Sequence, residues 1–181
     1  MDMYKLKWTR LQGEIFRLLC IKTGNPLNQR AIASLLNVSP TAVANSLMGL
    51  EKEGILAIKR DKNMNLNLIE LNRDNPKIIG LKRVENLKML YQSGISEFLE
   101  ETFPGTSIIL FGSYSYGEDT LKSDIDIAVI GTKEKEININ KFEKILEREI
   151  RINFYDNFKE IHKHLKENLC NGILLKGGIE L

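Results

Sequence analysis

Hydrophobic positions in the first third of the chain recur every three or four residues and predict three helices. The first helix begins after Thr9, and the second spans about Asn28 to Leu36. The third begins after Ser39 and runs to about Glu53, because serine is a favoured N-cap and the proline that follows it suits the first helical position. We therefore expect a three-helix unit at the start of the chain.

The hydrophobic period shortens after Gly54 and indicates two strands. Residues 55–58 form an apolar run, residues 66–71 alternate between apolar and polar positions, and a basic, turn-forming stretch at 59–63 separates them. This pattern predicts a β-hairpin. Three helices followed by such a hairpin resemble a winged helix-turn-helix domain over residues 8–72, most clearly in LNQRAIASLLNVSPTAVANSLMGLEKEGIL.

The resemblance implies that the third helix enters the major groove of double-stranded DNA. Polar side chains on its outer face suit base or phosphate contacts, and cations at the hairpin can reach phosphates; these candidates are Ser39, Thr41, Asn45, Lys59, Arg60 and Lys62. The third helix carries few cations, so we expect modest, salt-sensitive affinity. A homodimer facing a palindromic site fits this geometry. Docking of a partner protein by the winged helix is the alternative.

Turn-forming residues at Asn72–Pro76 mark the predicted domain boundary. Beyond them, apolar residues from Val84 to Phe103 recur every three or four positions, which predicts one long helix with a weak point at Gly94. We therefore divide the chain into a winged helix-turn-helix at 1–74, a connecting helix at 75–105 and a second domain at 106–181.

The second domain begins with an apolar, β-rich run at Ser107–Phe111 that predicts a buried strand. The strand leads directly into Gly112 and Ser113. Glycine lets a backbone approach a ligand closely, and the N–H groups at the beginning of a helix can hold phosphate. The end of this strand is therefore a candidate phosphate-binding loop, to which Ser113 adds a hydroxyl.

Two acidic residues lie on the next predicted strand, at 123–130. Asp124 and Asp126 share one face of that strand, about 7 Å apart along the chain. Two carboxylates on one face bind hard, oxygen-preferring cations and can hold a triphosphate in line for displacement. We therefore expect Mg²⁺ or Mn²⁺ as the metal.

The string FGSYSYGEDTLKSDIDIAVIG resembles the nucleotidyltransferase superfamily related to DNA polymerase β, and its minimal nucleotidyltransferase branch in particular. A Gly-Ser pair, ten residues and Asp-x-Asp keep the spacing of that signature. The resemblance implies that an NTP, with ATP expected, donates a nucleoside monophosphate to a hydroxyl acceptor. It assigns the metals to Asp124 and Asp126, and the nucleotide to Gly112, Ser113, Ser123 and Asn153.

Two positions depart from the superfamily pattern. Asn153 stands where a third carboxylate is expected, on a predicted strand at 151–155, and Tyr116 stands where many relatives carry arginine. An amide can accept a hydrogen bond or weakly ligate a metal, but it cannot act as a general base. Three functions therefore stay open. They are a nucleotidyltransferase with a DNA-binding domain, a DNA-binding regulator whose second domain senses nucleotide without turning it over, and an antitoxin-like protein that modifies or masks a separate helical protein.

The distribution of charge agrees with this division of the chain. The 181 residues carry a net charge of +2, but residues 1–76 hold 11 basic and 7 acidic residues, net +4, which leaves −2 for the rest. The basic part coincides with the winged helix. Two distant cysteines, a charged beginning and apolar runs too short to cross a membrane lead us to expect a cytoplasmic protein. The expected fold is α+β, with an N-terminal winged helix-turn-helix and a small C-terminal mixed-sheet nucleotidyltransferase α/β domain.

Overall fold

The computed structural model describes residues 8–62 and 65–179. Residues 1–7, 63–64 and 180–181 lie outside the described residues, and with them Asn63 of the predicted hairpin tip. The chain divides into two compact units, Met1–Ile78 and Ile79–Leu181. The predicted α+β fold is confirmed.

The first unit contains three helices and a small antiparallel sheet. The helices are α1 (Arg10–Ile21), α2 (Gln29–Leu35) and α3 (Pro40–Lys52), and the strands are β1 (Leu27–Asn28), β2 (Leu56–Asp61) and β3 (Leu66–Leu71). The sheet has the order β1-β3-β2, with both strand pairs antiparallel. Three helices followed by this β2–β3 hairpin form the winged helix-turn-helix that the sequence predicts.

Side-chain caps fix where the three helices begin. The hydroxyl of Thr9 accepts a hydrogen bond from the Gln12 N–H at 3.2 Å, within a complete capping box. Asn28 and Ser39 cap α2 and α3 in the same way, with acceptor distances of 2.9 and 3.2 Å. The inward side chains of the helices and the hairpin form the core of the unit; among them are Ile15, Ile32, Val43, Leu47, Leu50 and Ile69.

The second unit is built around a four-stranded mixed sheet. Its elements are α4 (Pro76–Ser93), α5 (Ile95–Thr102), β4 (Ser107–Phe111), α6 (Gly112–Tyr116), β5 (Ile125–Ile130), α7 (Asn140–Leu146), β6 (Ile150–Tyr155), α8 (Lys163–Cys170) and β7 (Ile173–Lys176). The strand order is β6-β5-β4-β7. β5 and β6 are parallel, and the other two pairs are antiparallel.

Both faces of this sheet are covered by apolar side chains. Alternate residues of β5, including Ile125 and Ile127, pack with side chains from α4, α5 and α7. The opposite face, which carries Ala128 and Ile130, packs with Phe158 and Leu169. Asp126 alternates with Ile125 and Ile127, so its side chain lies on the second face, at the beginning of β5.

The predicted connecting helix is interrupted at Gly94, the weak point that the sequence indicated, and forms two helices. Gly94 adopts a positive φ of 80° and separates α4 from α5. Val84 and Tyr91, which were predicted to lie on the inward stripe, are 65% and 42% exposed. The buried positions of α4 are Ile78, Lys82, Asn86 and Leu90, so half of its inward stripe is polar. A pattern of apolar residues cannot reveal such a stripe, because its polar members are stabilised by partners distant in sequence.

Among the described residues, no single helix is long and apolar enough to cross a membrane. α2 and α3 meet the length and composition requirements only when they are taken together, as a pair bent by 112°.

Candidate active site and DNA-facing surface

The two halves of the Gly-Ser and Asp-x-Asp pattern meet at one end of the β4–β5 pair. Phe111, the last residue of β4, pairs with Asp126 of β5, and Gly112 follows directly. Asp124 precedes the first residue of β5, so it lies just outside the strand instead of on it as predicted. The antiparallel pairing therefore places the candidate phosphate loop beside both carboxylates.

Gly112 approaches Asp126 more closely than any other residue type could. Its φ is +73°, and a Cβ at this position would lie 2.6 Å from Asp126 Oδ2. A side chain at residue 112 would therefore meet both backbone strain and a steric clash with the carboxylate. The absence of a Cβ leaves the backbone of the loop in direct proximity to the acidic group.

The carboxyl group of Asp126 is less acidic than an ordinary aspartate. Burial raises its pKa above 3.8, the nearby charge of Asp124 raises it further, and the charge of Arg151 opposes both effects. A carboxylate that is partly desolvated and repelled by a second carboxylate favours a bound cation. This electrostatic arrangement is typical of a cation-binding pair.

Arg151 is a site residue that the sequence reasoning missed. The parallel β5–β6 register places it directly beside Asp126. Its Nη2 lies 2.9 Å from Asp124 Oδ2, and its Nε lies 3.6 Å from Glu149 Oε1. One signal was available, since Arg151 is two residues from Asn153 and therefore shares its face of β6.

The other predicted nucleotide ligands are Asn153, Ser123 and Ser113. Asn153 pairs with Ala128, two residues along the strands from the Asp126–Arg151 pair, and is half-buried. The Ser123 hydroxyl accepts a hydrogen bond from the Thr120 N–H at 3.0 Å and so closes the loop before Asp124. Within the described part of the chain, the hydroxyl of Ser113 makes no hydrogen bond, which leaves it available to a ligand.

On the first unit, α3 presents a polar outer face. Thr41 and Asn45 are exposed, as predicted, and Met48 completes the strip with a side chain that is 64% exposed. Ser39 is also exposed, but its hydroxyl caps α3 by accepting from the Ala42 N–H. Of these three predicted contact residues, Ser39 is therefore already engaged in capping its own helix.

Two of the three predicted wing cations already have partners within the hairpin. Lys59 forms a 2.5 Å ion pair with Glu70 on the neighbouring strand, which raises the pKa of its ammonium group. Arg60 Nη2 donates to Asn65 Oδ1 at 2.7 Å. Lys62 lies exposed at the end of the described part of the wing.

Comparison with known proteins gives one family for the second unit. Residues 93–175 match the family model described as "Nucleotidyltransferase domain". These residues form a nucleotidyltransferase domain. They include the candidate phosphate loop, both aspartates of the Asp-x-Asp pattern, and β6 with Asn153. No curated protein matches the chain.

Several solved structures resemble part of this chain. A ZitR variant of Lactococcus lactis is 21% identical, covers 57% of this chain and 67% of its own, and has a TM-score of 0.43. The adhesin competence repressor AdcR of Streptococcus pyogenes is 21% identical, with coverages of 56% and 71% and a TM-score of 0.44. MepR of Staphylococcus aureus, a transcription regulator of the multidrug efflux pump MepA, is 23% identical, with coverages of 53% and 70% and a TM-score of 0.41.

The nucleotidyltransferase domain offers two carboxylates to a metal. Among the described residues, no group of three or more histidine, cysteine, aspartate or glutamate side chains is arranged to hold one. Mg²⁺ is usually bound through one or two carboxylates together with substrate phosphates and waters. Asp124 and Asp126, beside a loop whose backbone a Cβ would obstruct, fit a metal that arrives with nucleotide.

A cavity of about 590 Å³ opens beside Asp124 in this domain. It lies between α7 and the loop that precedes β5, and its lining includes Ser123, Asp124, Asn140, Lys144 and Glu149. A larger cavity of about 1030 Å³ lies at the other end of the sheet, near Ile130 and Phe158, and contains none of the signature residues. The smaller cavity thus adjoins the candidate site at Ser123 and Asp124, while Gly112, Ser113 and Asp126 do not line it.

A buried polar network supports the loop that connects the two signature motifs. Lys82 of α4 forms a fully buried ion pair with Asp119, and Arg148 Nη2 lies 3.5 Å from the other oxygen of that carboxylate. The side-chain amide of Asn86 donates to Asp119 at 2.6 Å and to the carbonyl oxygen of Tyr114 at 3.0 Å. Asp119 thus links α4 to the residues before β6, and Asn86 joins this network to α6; the sequence analysis missed all of these contacts.

Proposed function

We propose that this protein is a Mg²⁺-dependent nucleotidyltransferase with a DNA-binding winged helix. It would transfer a nucleoside monophosphate from an NTP, with ATP as the expected donor, to a hydroxyl acceptor. The observation that carries the proposal is the close approach of Gly112 to Asp126, with Asp124 beside it. A phosphate loop and a carboxylate pair at one strand end fit a phosphate-bearing ligand better than they fit a purely structural role.

Different residues of the domain would bind the phosphates, the metal and the rest of the nucleotide or its acceptor. The backbone at Gly112 and the hydroxyl of Ser113 would hold phosphate oxygens. Asp124 and Asp126 would hold Mg²⁺, which supplies neutralisation of the charge that develops on the phosphates. Asn153 would contribute a hydrogen bond to the nucleotide or its acceptor. Catalysis would then rest on positioning and on charge neutralisation.

The transfer forms a bond between the acceptor oxygen and the α-phosphorus and breaks the bond from that phosphorus to the bridging oxygen. Pyrophosphate is released. The proton of the acceptor hydroxyl passes to solvent, because the amide of Asn153 cannot accept it as a base would. A third carboxylate would accelerate this step, so we expect slow turnover.

The test is transfer of label from α-³²P-ATP with Mg²⁺ in the full chain, with duplex DNA and the protein itself offered as acceptors. We expect incorporation that Asp124→Asn and Asp126→Asn each abolish. Asp156→Asn removes an exposed aspartate of the same domain and should leave incorporation intact. Absence of incorporation together with nucleotide binding would reject transfer.

Asn153 favours a second candidate, a regulator that senses nucleotide without turning it over. The nucleotidyltransferase domain would then bind ATP, and ATP would change the affinity of the winged helix for DNA. The variant Asn153→Asp separates the two candidates. If the wild type binds ATP without transferring label and the Asn153→Asp variant does transfer it, the result would support the sensor.

The winged helix supports binding of double-stranded DNA through the exposed strip Thr41, Asn45 and Met48 and through the wing cations. Thr41→Ala together with Asn45→Ala should lower discrimination between sequences, because these side chains would face base edges. Lys62→Ala should weaken binding about equally on all sequences. Binding measured by fluorescence anisotropy at several salt concentrations distinguishes these effects. Absence of duplex binding at low salt would favour docking of a protein.

A further inference from the structure

We propose that Arg151 occupies the metal site in the metal-free protein and competes with the divalent cation for Asp124. This inference rests on the proposed function, because it takes Asp124 and Asp126 as metal ligands. Arg151 would set how much cation, and hence how much metal-bound nucleotide, the domain requires. It is a positioning residue that touches a ligand of the metal and not the metal itself.

The geometry places the guanidinium group where a cation is needed. Its Nη2 lies 2.9 Å from Asp124 Oδ2, and the parallel register sets its side chain on the same face as Asp126. The charge of Arg151 opposes the rise in the pKa of Asp126 that burial and Asp124 produce. The guanidinium group therefore supplies part of the stabilisation that a bound cation would give to both carboxylates.

The contact is weak enough to be exchanged. The Arg151 side chain is 59% exposed, and ion pairs between exposed groups contribute little because water screens them. A divalent cation carries twice the charge and can ligate both carboxylates. Binding of the metal can therefore displace Arg151 without unfolding any part of the site.

Glu149 provides the arginine with a second partner. Its Oε1 lies 3.6 Å from Arg151 Nε, whereas the contact with Asp124 is made through Nη2. Arg151 can keep this contact when Asp124 turns to the metal. Glu149 would thus favour the metal-bound arrangement, although it need not touch the metal.

The experiment measures Mn²⁺ binding to the full chain by electron paramagnetic resonance, without nucleotide and without reference to activity. Arg151→Ala should tighten Mn²⁺ binding about threefold to tenfold. Arg151→Lys, which keeps the charge but not the planar fork, should fall between this variant and the wild type. Lys144→Ala removes one positive charge from the lining of the cavity beside Asp124 and should change the dissociation constant less than twofold.

Glu149→Gln gives a second, independent measurement. As a single substitution it should weaken Mn²⁺ binding, because Asp124 is then the remaining acidic partner of Arg151. Combined with Arg151→Ala, it should have a smaller effect. Unchanged or weaker Mn²⁺ binding in Arg151→Ala would overturn the inference, as would equal tightening in Lys144→Ala. Either result would leave the proposed function standing if Asp124→Asn still abolishes Mn²⁺ binding. Mn²⁺ binding that survives Asp124→Asn would reject the proposed metal site and, with it, the role of Arg151.

Discussion

Lys82 and Asp119 form an ion pair in which neither side chain is accessible to solvent. The pair joins α4 to the loop between the two signature motifs, and its two residues are 37 positions apart in the chain. Arg148 and Asn86 share the same carboxylate. Asp119 is therefore the common acceptor of three side chains. Their contacts stabilise the loop that connects the two halves of the candidate site.

Replacing Asp119 should destabilise the nucleotidyltransferase domain strongly. In Asp119→Leu, Lys82 and Arg148 lose a shared partner while buried, at a cost of about 3–5 kcal/mol. Urea unfolding followed by far-ultraviolet circular dichroism measures this. The single tryptophan, Trp8, lies in the first unit, so its fluorescence should report a nearly unchanged transition. Lys82→Met combined with Asp119→Leu should be less destabilised than Asp119→Leu alone. A loss below 1 kcal/mol in the single variant would contradict a supporting role for the pair.

Gly112→Ala should eliminate nucleotide and metal binding while the domain stays folded. The alanine would carry a positive φ, at a cost of about 1–2 kcal/mol, and its Cβ would displace the Asp126 carboxylate. Isothermal titration with Mn²⁺ and ATP checks this. Gly80→Ala is the matched control, because a Cβ there meets nothing within 4 Å inside α4 and should stabilise the helix by about 0.5–1 kcal/mol. Wild-type affinity in Gly112→Ala would remove the phosphate loop from the site.

Asp126→Asn should stabilise the metal-free protein at neutral pH. The pKa of Asp126 is raised above 3.8 in the folded state, chiefly by burial, so the folded protein holds this proton more tightly than the unfolded chain does. The contribution of Asp126 to stability is therefore complete below pH 3.8 and is lost as the pH rises through the raised pKa. Thermal unfolding from pH 3.5 to 7.5 should show an advantage of the asparagine variant that grows with pH. A difference between the two proteins that stays constant across this range would contradict a raised pKa of Asp126.

Local signals predicted the winged helix and the strands that carry the site motifs, because each depends on residues close together in sequence. Thr9 and Ser39 cap helices within one turn of themselves, and Gly112 follows its strand directly. The meeting of Gly112 with Asp126 follows from the antiparallel pairing of the two strands that the apolar runs predicted.

The contacts that the sequence did not reveal join residues distant in the chain. Lys82 is buried by a partner 37 positions away, so a helical stripe of apolar residues cannot identify it. Arg151 reaches Asp124 only through the parallel alignment of β5 and β6, and the choice of neighbouring strand is a property of the tertiary fold. Both omissions concern charged groups whose burial or pairing is decided by packing and not by local pattern.

Glu70→Gln should tighten DNA binding by the winged helix, although Glu70 itself is not expected to touch DNA. Its carboxylate holds Lys59 on the hairpin, and its removal would release that cation for phosphate while also lowering the negative charge of the wing. We expect a twofold to fivefold gain in DNA affinity at low salt, in line with an exposed ion pair of about 0.5–1 kcal/mol. The salt dependence of binding should be steeper by about one phosphate contact.

Glu14→Gln is the matched control, because it releases Arg10 on α1 from an exposed 2.7 Å pair in the same way. Equal gains in both variants would show that net charge, and not the wing, governs the affinity. Fluorescence anisotropy across a salt series decides between these outcomes. Lys59→Ala in the Glu70→Gln background should lose the gain.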